Sequence, residues 1–379
     1  MAQDPLAAYD ALTAGRTRFV RVDELCRLAA ERFPGLVPGA DELVAEARLV
    51  QRDKKGLEKA QGRFLGAVLS DPAAGAHLCH AMLLPREDSR APLAEYQAKG
   101  ELVLAGAHLE RQGKATVLTM RNPRFLNAED ESTLEGMEIA VDVALLDRKS
   151  ELCVLRGDPV EHPKHAGQRV FGAGINLTHL YQGKIRFLWY LIRDLGFVNK
   201  LYRGLALPDM HPEQDCIEKP WVAAVERFAI GGHCQILLTM DYIIAAEDAY
   251  MTLPARKEGI IPGAANLRLP RFVGARLARQ AILAERRIDC ASPEGRKICD
   301  EIVPVTGMDQ AIERSIHHLT NSGVVSAAGN RRAFRAGEEP LDTFRRYMAV
   351  YAREQAQCHF SPALIANLER HWDAANRRA

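Results

Sequence analysis

Two glycine-rich turns hold the residues best suited to chemistry. The first is Val170-Phe171-Gly172-Ala173-Gly174-Ile175-Asn176-Leu177, and the second is Ala229-Ile230-Gly231-Gly232-His233-Cys234-Gln235. Each follows an apolar, strand-like run and precedes a helical pattern. Glycine lets a backbone approach a ligand closely. The next amides then open a helix, where N–H groups point outward. Two such amides aimed at one oxygen form an oxyanion hole, which stabilises charge developing on a carbonyl. Tight strand–helix packing accounts for either turn alone equally well. Gly172-x-Gly174 lacks the third glycine and the downstream acidic residue of a dinucleotide fingerprint.

Metal and serine chemistry have less behind them. A mononuclear iron oxygenase needs two histidines and a carboxylate facing one ion. The candidate groups are His77, Cys79 and His80; His162 and His165; and Asp209 with His211. None has the H-x-D spacing. No G-x-S-x-G elbow occurs, so a serine thioesterase has no motif. The expectation is a site without metal.

Composition sets the frame around these turns. Hydrophobic residues make up 47% of the 379 and charged residues 26%, as in an ordinary globular protein. A formal net charge of +1 gives no strong pull toward nucleic acid or an anionic membrane. No apolar run reaches the ~18 residues of a membrane span, and the N-terminal MAQDPLAAYDALTAGRTRF has no apolar signal-peptide region. Eight dispersed cysteines without a CxxC fit a reduced, cytoplasmic setting.

The elements that must position the turns divide the chain in three. Residues 1–100 read as a helical domain, with helix starts at Asp23-Glu24-Leu25 and Asp41-Glu42-Leu43 and a helical stripe from Leu57 to Leu69. Residues 101–310 read as an α/β core. A hairpin of Leu102–Glu110 and Ala115–Met120 opens it across Arg111-Gln112-Gly113-Lys114. A helix follows from about Asn127 to Leu146, then strands at 151–157, 221–225 and 241–246. Residues 311–379 read as a C-terminal helical segment, and 206–218 as a polar loop.

Within this frame the chain resembles the crotonase (enoyl-CoA hydratase/isomerase) superfamily. Arg121-Asn122-Pro123-Arg124-Phe125-Leu126-Asn127-Ala128 is similar to its N-R-P-x-x-x-N-A segment. The two glycine turns match its A-G-x and G-G-G-x-E motifs. Gly259-Ile260-Ile261-Pro262-Gly263-Ala264-Ala265 matches its G-x-x-P-G-x-G turn. The resemblance implies a ββα-spiral core, an acyl-CoA substrate, oxyanion amides on Ile175 and Gly232, substrate binding by Gly174 and Gly231, and Arg124 near the CoA phosphates. It also implies a trimer or hexamer.

The chain departs from that family at the two hydratase glutamates. The first belongs three residues after the oxyanion glycine, where Gln235 stands. The second belongs eight before the glycine of the Pro-Gly turn, at Ala255. Neither side chain transfers a proton as a carboxylate does. Glu258 and Arg256 lie nearby, but this register places them elsewhere.

A narrower resemblance covers nearly the whole chain. It is to the superfamily's cofactor-independent dioxygenases, which act on 3,5-dihydroxyphenylacetyl-CoA in glycopeptide antibiotic assembly. It rests on His179–Ile185, Gly231–Leu238 and Leu253–Leu267. That resemblance implies dioxygen as co-substrate, no metal or organic cofactor, Glu129 at the aryl end of the pocket as hydrogen-bond acceptor or base, and Arg193 binding a phenolate. Gln235 would take a catalytic place, donating and accepting hydrogen bonds where a base would otherwise stand, and Leu177, Ile260 and Pro262 would line an oxygen pocket. First-turn helix capping explains Glu129 as well, and core packing explains the apolar three. A hydrolase or isomerase on another acyl-CoA, and a non-catalytic CoA-ester-binding scaffold, are the alternatives.

Overall fold

The computed structural model describes residues 4–321 and 324–377. Among the described residues, six α-helices precede the first strand, the last of them Arg90–Lys99. Two of them, Pro5–Leu12 and Pro72–Leu83, start as local chemistry dictates. Each has an Asp at the N-cap, accepting from free N–H groups, and a Pro just inside. Arg90–Lys99 ends at Gly100, whose φ of 74° suits a residue without Cβ.

The strands are β1 (Glu101–Leu104), β2 (Ala107–Gln112), β3 (Ala115–Met120), β4 (Leu152–Gly157), β5 (Trp221–Val225), β6 (Phe228–Ile230), β7 (Tyr242–Ala246), β8 (Tyr250–Thr252), β9 (Ile288–Asp289) and β10 (Glu301–Val303). Seven form one sheet in the order β1-β2-β3-β4-β5-β7-β10. In it β1, β2 and β3 run antiparallel, and β3, β4, β5, β7 and β10 pair in parallel. β6, β8 and β9 make a second, smaller sheet. β3, β4 and β5 are buried at every position, which is why they read as continuous apolar runs without alternation.

Two expectations change in detail. The run Leu102–Glu110 is two strands, because the chain turns back at Ala105-Gly106. Arg111 and Gln112 pair with Thr116 and Ala115, so only Gly113-Lys114 form the next turn. The stretch before Gly172 is not a strand. It is held by single bridges, Val160 to Ala166 and Gly172 to Ala229.

Helices return at Met308–Leu319, Val324–Glu338, Leu341–His359 and Pro362–Trp372. Leu341–His359 lies tightly against Lys59–Ser70 near the other end of the chain. A methyl on Gly62 would stand 2.6 Å from the Ala356 Cβ, and one on Gly66 would stand 2.7 Å from Arg353. The loop at 206–218 is anchored: Leu205 and Ile217 exchange backbone hydrogen bonds, and buried Glu218 binds Arg331, Arg332 and Arg335. Among the described residues no helix is long and apolar enough to cross a membrane.

Candidate active site

Three backbone segments meet beyond the ends of the central strands: 127–130, 172–176 and 229–232. Asn127 joins the first two. It takes φ 56°, a left-handed conformation that Asn tolerates. Its side-chain amide donates to the carbonyls of Asp158 and Val170 and accepts from the Asn122 N–H. The Glu129 N–H donates to the Gly174 carbonyl, and the Asn176 N–H returns to the Glu129 carbonyl. Asp130 caps the helix Glu131–Leu146, and Glu131 pairs with Arg186. Glu129 lies before that helix and pairs with Arg193 instead, so the helix start is served by its two neighbours.

The glycine turns touch. A methyl on Gly174 would sit 3.2 Å from the Gly232 nitrogen and 2.8 Å from the Ile230 carbonyl oxygen. Gly174 and Gly231 have φ of 78° and 55°, which their lack of Cβ makes inexpensive. Their own N–H groups are engaged, Gly174 with the His233 ring and Gly231 with the Thr252 carbonyl. The expectation that these two glycines bind substrate is corrected: with their amides engaged, they shape the turns. The N–H groups of Ile175 and Gly232 have no acceptor among the described residues.

His233 was not singled out in the sequence, although it replaces the third glycine of the family motif. It is fully buried, and its Nδ1 accepts from the Gly174 N–H at 2.9 Å. Burial pushes its pKa down to about 4, so the ring is neutral and can accept. A Cβ at position 172 would lie 2.2 Å from the ring, so Gly172 is the space His233 fills.

Behind Gly232 stands a closed charge network. Arg193, on the helix Phe187–Leu195, donates through Nε and Nη2 to the two oxygens of Glu129, each at 2.8 Å. Its Nη1 donates to Asp194 and to the Gln235 carbonyl oxygen, and its Nη2 also donates to the Gly232 carbonyl. Those five contacts use all five guanidinium donors. The expectation that Arg193 binds a phenolate is corrected accordingly: it holds Glu129 and the oxyanion turn. Gln235, 1% exposed, completes the network by donating to Asp194 at 2.8 Å. It is a strut where an acid would stand, and Gly263 must lack a side chain to make room for its amide. Burial raises the Glu129 pKa, but Arg193 outweighs it and holds the carboxyl below its usual range. Glu129 is thus an ionised acceptor and a weak base.

Glu258 is in the opposite state. It ends the short helix Ala255–Glu258 and is 4% exposed. A Cβ on Gly231 would lie 3.8 Å from both of its carboxylate oxygens, with the Gly174 Cα equally near. No hydrogen bond or ion pair to its carboxylate occurs among the described residues. Burial alone pushes its pKa up to about 7. The expectation that register carries Glu258 away from the site is corrected: Ala255 and Glu258 are three apart on one helix, so they share a face.

The other candidates are spread more widely. Arg124 is exposed on the turn Pro123–Phe125, with its guanidinium 5.5 Å from the Phe125 ring centre. Ile260 and Pro262 line one cleft of about 470 Å³ with Ile282 and Cys358, whereas Leu177 packs on the main core and is not part of that cleft. His77 bonds Tyr9, and His80 the Leu207 carbonyl.

Comparison with known proteins follows this geometry. The enoyl-CoA hydratase/isomerase family model matches residues 110–357. A (3,5-dihydroxyphenyl)acetyl-CoA 1,2-dioxygenase of Amycolatopsis orientalis is 48% identical over 349 residues, covering 92% of this chain and 80% of that protein. A short-chain-enoyl-CoA hydratase of Clostridium acetobutylicum is 27% identical, covering 62% of this chain and 83% of that enzyme. An enoyl-CoA hydratase structure from Mycobacterium avium subsp. paratuberculosis superposes with a TM-score of 0.58 at 20% identity, over 70% of this chain and 98% of the other. That last likeness is one of fold.

Proposed function

Because the chain belongs to the enoyl-CoA hydratase/isomerase family, we propose that it binds an arylacetyl-CoA thioester as an enolate and lets dioxygen attack it. The products are an arylglyoxylate and free CoA. The substrate proposed is (3,5-dihydroxyphenyl)acetyl-CoA, after the 48% identical relative that carries this activity in its name. The observation that carries the reading is the pair of unpartnered amides, Ile175 and Gly232, beside positions where both hydratase carboxylates are replaced by Gln235 and Ala255. Those two positions therefore hold no carboxylate to activate water.

The two amides hold the thioester oxygen, whose charge grows as the enolate forms, so they favour the transition state over the bound substrate. Glu129, kept ionised by Arg193, accepts a hydrogen bond from a ring hydroxyl. Arg193, Asp194 and Gln235 keep Glu129 and the Gly232 peptide in place. Arg124, exposed beside the first segment, meets the CoA phosphates. The electron-rich enolate itself reduces dioxygen by one electron, and the radical pair joins at Cα, so the reading needs no metal or flavin. Ile260 and Pro262 give dioxygen an apolar approach. The terminal peroxide oxygen attacks the thioester carbon and CoA leaves.

Oxygen uptake on adding (3,5-dihydroxyphenyl)acetyl-CoA, unaffected by a chelator, tests the reading. Under isotopically labelled dioxygen both atoms should enter the product, one as the keto oxygen and one in the carboxylate. A product with no label and a carboxylate oxygen from water would mean a hydrolase and overturn it.

A further inference from the structure

Glu258 is a buried carboxylate beside the glycine turns that the Arg193 network does not use. The Gly231-Gly232 dipeptide separates it from Glu129. A side chain on Gly232 would strike Glu129 Oε2 at 2.7 Å, while one on Gly231 would face both Glu258 oxygens at 3.8 Å. Gly231 thus faces Glu258 at the peptide just before the oxyanion N–H. The charged neighbours of Glu258 are otherwise occupied. Arg256 and Lys257 on its own helix bind Glu285. Of the helices packed around it, Phe187–Leu195 brings Tyr190, whose phenol pKa is raised by burial and by the Glu258 charge. The Tyr190 hydroxyl meets His359, on the helix Leu341–His359. Asn367 on Pro362–Trp372 bonds the Arg256 carbonyl, not the carboxylate.

We infer that Glu258 is the general base that removes the Cα protons of the bound thioester, one helical turn beyond the position where a hydratase carries its glutamate. The inference rests on the enolate reading above and adds the base that reading lacks. The reaction needs two deprotonations. In the first, the Glu258 carboxylate takes a Cα proton, and the C–H electron pair moves to the thioester oxygen between Ile175 and Gly232. Dioxygen then adds at Cα, the peroxide closes on the thioester carbon, and CoA departs as a thiolate. Glu258 passes its proton to that thiolate and is a base again. In the second, it removes the remaining Cα proton. Those electrons form the keto C=O as the O–O bond breaks, and the released oxygen becomes the carboxylate. Two hydrogens leave Cα: one ends on the CoA thiol, the other goes to solvent. A base used twice must release its proton between steps, which suits a carboxyl whose pKa burial raises to about 7.

The test separates the base from the dioxygen chemistry by leaving dioxygen out. Wild-type protein with (3,5-dihydroxyphenyl)acetyl-CoA in deuterated water under argon should exchange the Cα hydrogens, read by mass spectrometry, at a rate that rises through a pH near 7. Glu258→Gln keeps the shape of the side chain. It should lose at least ~10²-fold of that exchange and the pH-dependent limb, while Kd for the CoA ester stays within about threefold. Glu258→Asp should recover part of the exchange. Exchange in E258Q within threefold of wild type, with the same pH profile, overturns the assignment and leaves the dioxygenase reading standing. Wild type that exchanges deuterium yet takes up no oxygen in air overturns that reading instead, and loss of exchange in E258Q then still supports the base.

Discussion

The two glycines of one dipeptide back onto two buried carboxylates in opposite states. Glu129, behind Gly232, receives two hydrogen bonds from Arg193, which is itself saturated. Glu258, facing Gly231, receives none among the described residues. Both are nearly sealed from water, at 6% and 4% exposure, so burial alone cannot explain why one pKa falls and the other rises. The partner decides. A carboxylate with a guanidinium is fixed as an anion and serves geometry, while one without is kept near neutrality and is available for proton transfer.

The sharpest way to break that contrast is to remove the guanidinium. Arg193→Met leaves Glu129 and Asp194 buried without their cation, and unpairing a buried charge costs about 3–5 kcal/mol. Urea denaturation should show that loss, and oxygen uptake should vanish with it. Gly232→Pro deletes one oxyanion donor and should lower kcat by ~10²–10³, with circular dichroism confirming the fold. Near-normal turnover in a folded G232P protein would remove Gly232 from the hole.

The Glu258 side should behave in reverse. Its folded pKa, about 7, lies above the ~4.3 of an unfolded glutamate. Its contribution to stability is therefore full below pH ~4 and is lost as pH rises through 7. Glu258→Gln removes that loss, so the variant should be more stable than wild type at pH 8, by on the order of 3 kcal/mol, with the gain fading toward pH 4. Parallel melting curves at the two pH values would show it. An R193M-like destabilisation in E258Q would mean that Glu258 has a partner after all.

The smallest effect belongs to the brace behind the first turn. Gly172→Ala pushes a methyl into the His233 ring and should cost about 1–3 kcal/mol, as overpacking does. Adding His233→Ala should restore room without restoring activity, because the Gly174 N–H loses its acceptor. A double-mutant cycle on stability and kcat reads both.

The turns were legible in the sequence because close approach and positive φ leave glycine as a trace, and Asn127 marks a left-handed bend in the same way. Roles that depend on saturation were not legible. Apart from its neighbour Asp194, nothing local to Arg193 tells that its donors are used by Glu129, Gln235 and the Gly232 carbonyl, drawn from two distant segments. Counting register put Ala255 at the site and passed over Glu258, because a linear count ignores that a helix offers the same face again three residues on. The replacement of a glycine by His233 was a visible signal whose counterpart, the space at Gly172, needed the fold to be seen.

The clasp between Lys59–Ser70 and Leu341–His359 has a temporal consequence. The latter helix also braces the site: Gln355 accepts from the Ile261 N–H, and the Tyr347 hydroxyl donates to the Gly263 carbonyl. These contacts join segments far apart in the chain, which raises contact order and slows folding. Synthesis runs from the N-terminus at roughly 5–20 residues per second. The glycine turns therefore leave the ribosome before the helix that braces them. Helix Lys59–Ser70 waits longer still, with Gly62 and Gly66 uncovered until Leu341–His359 arrives. On this order of events, the braced site is completed only once residues 341–359 have been made, well after both glycine turns.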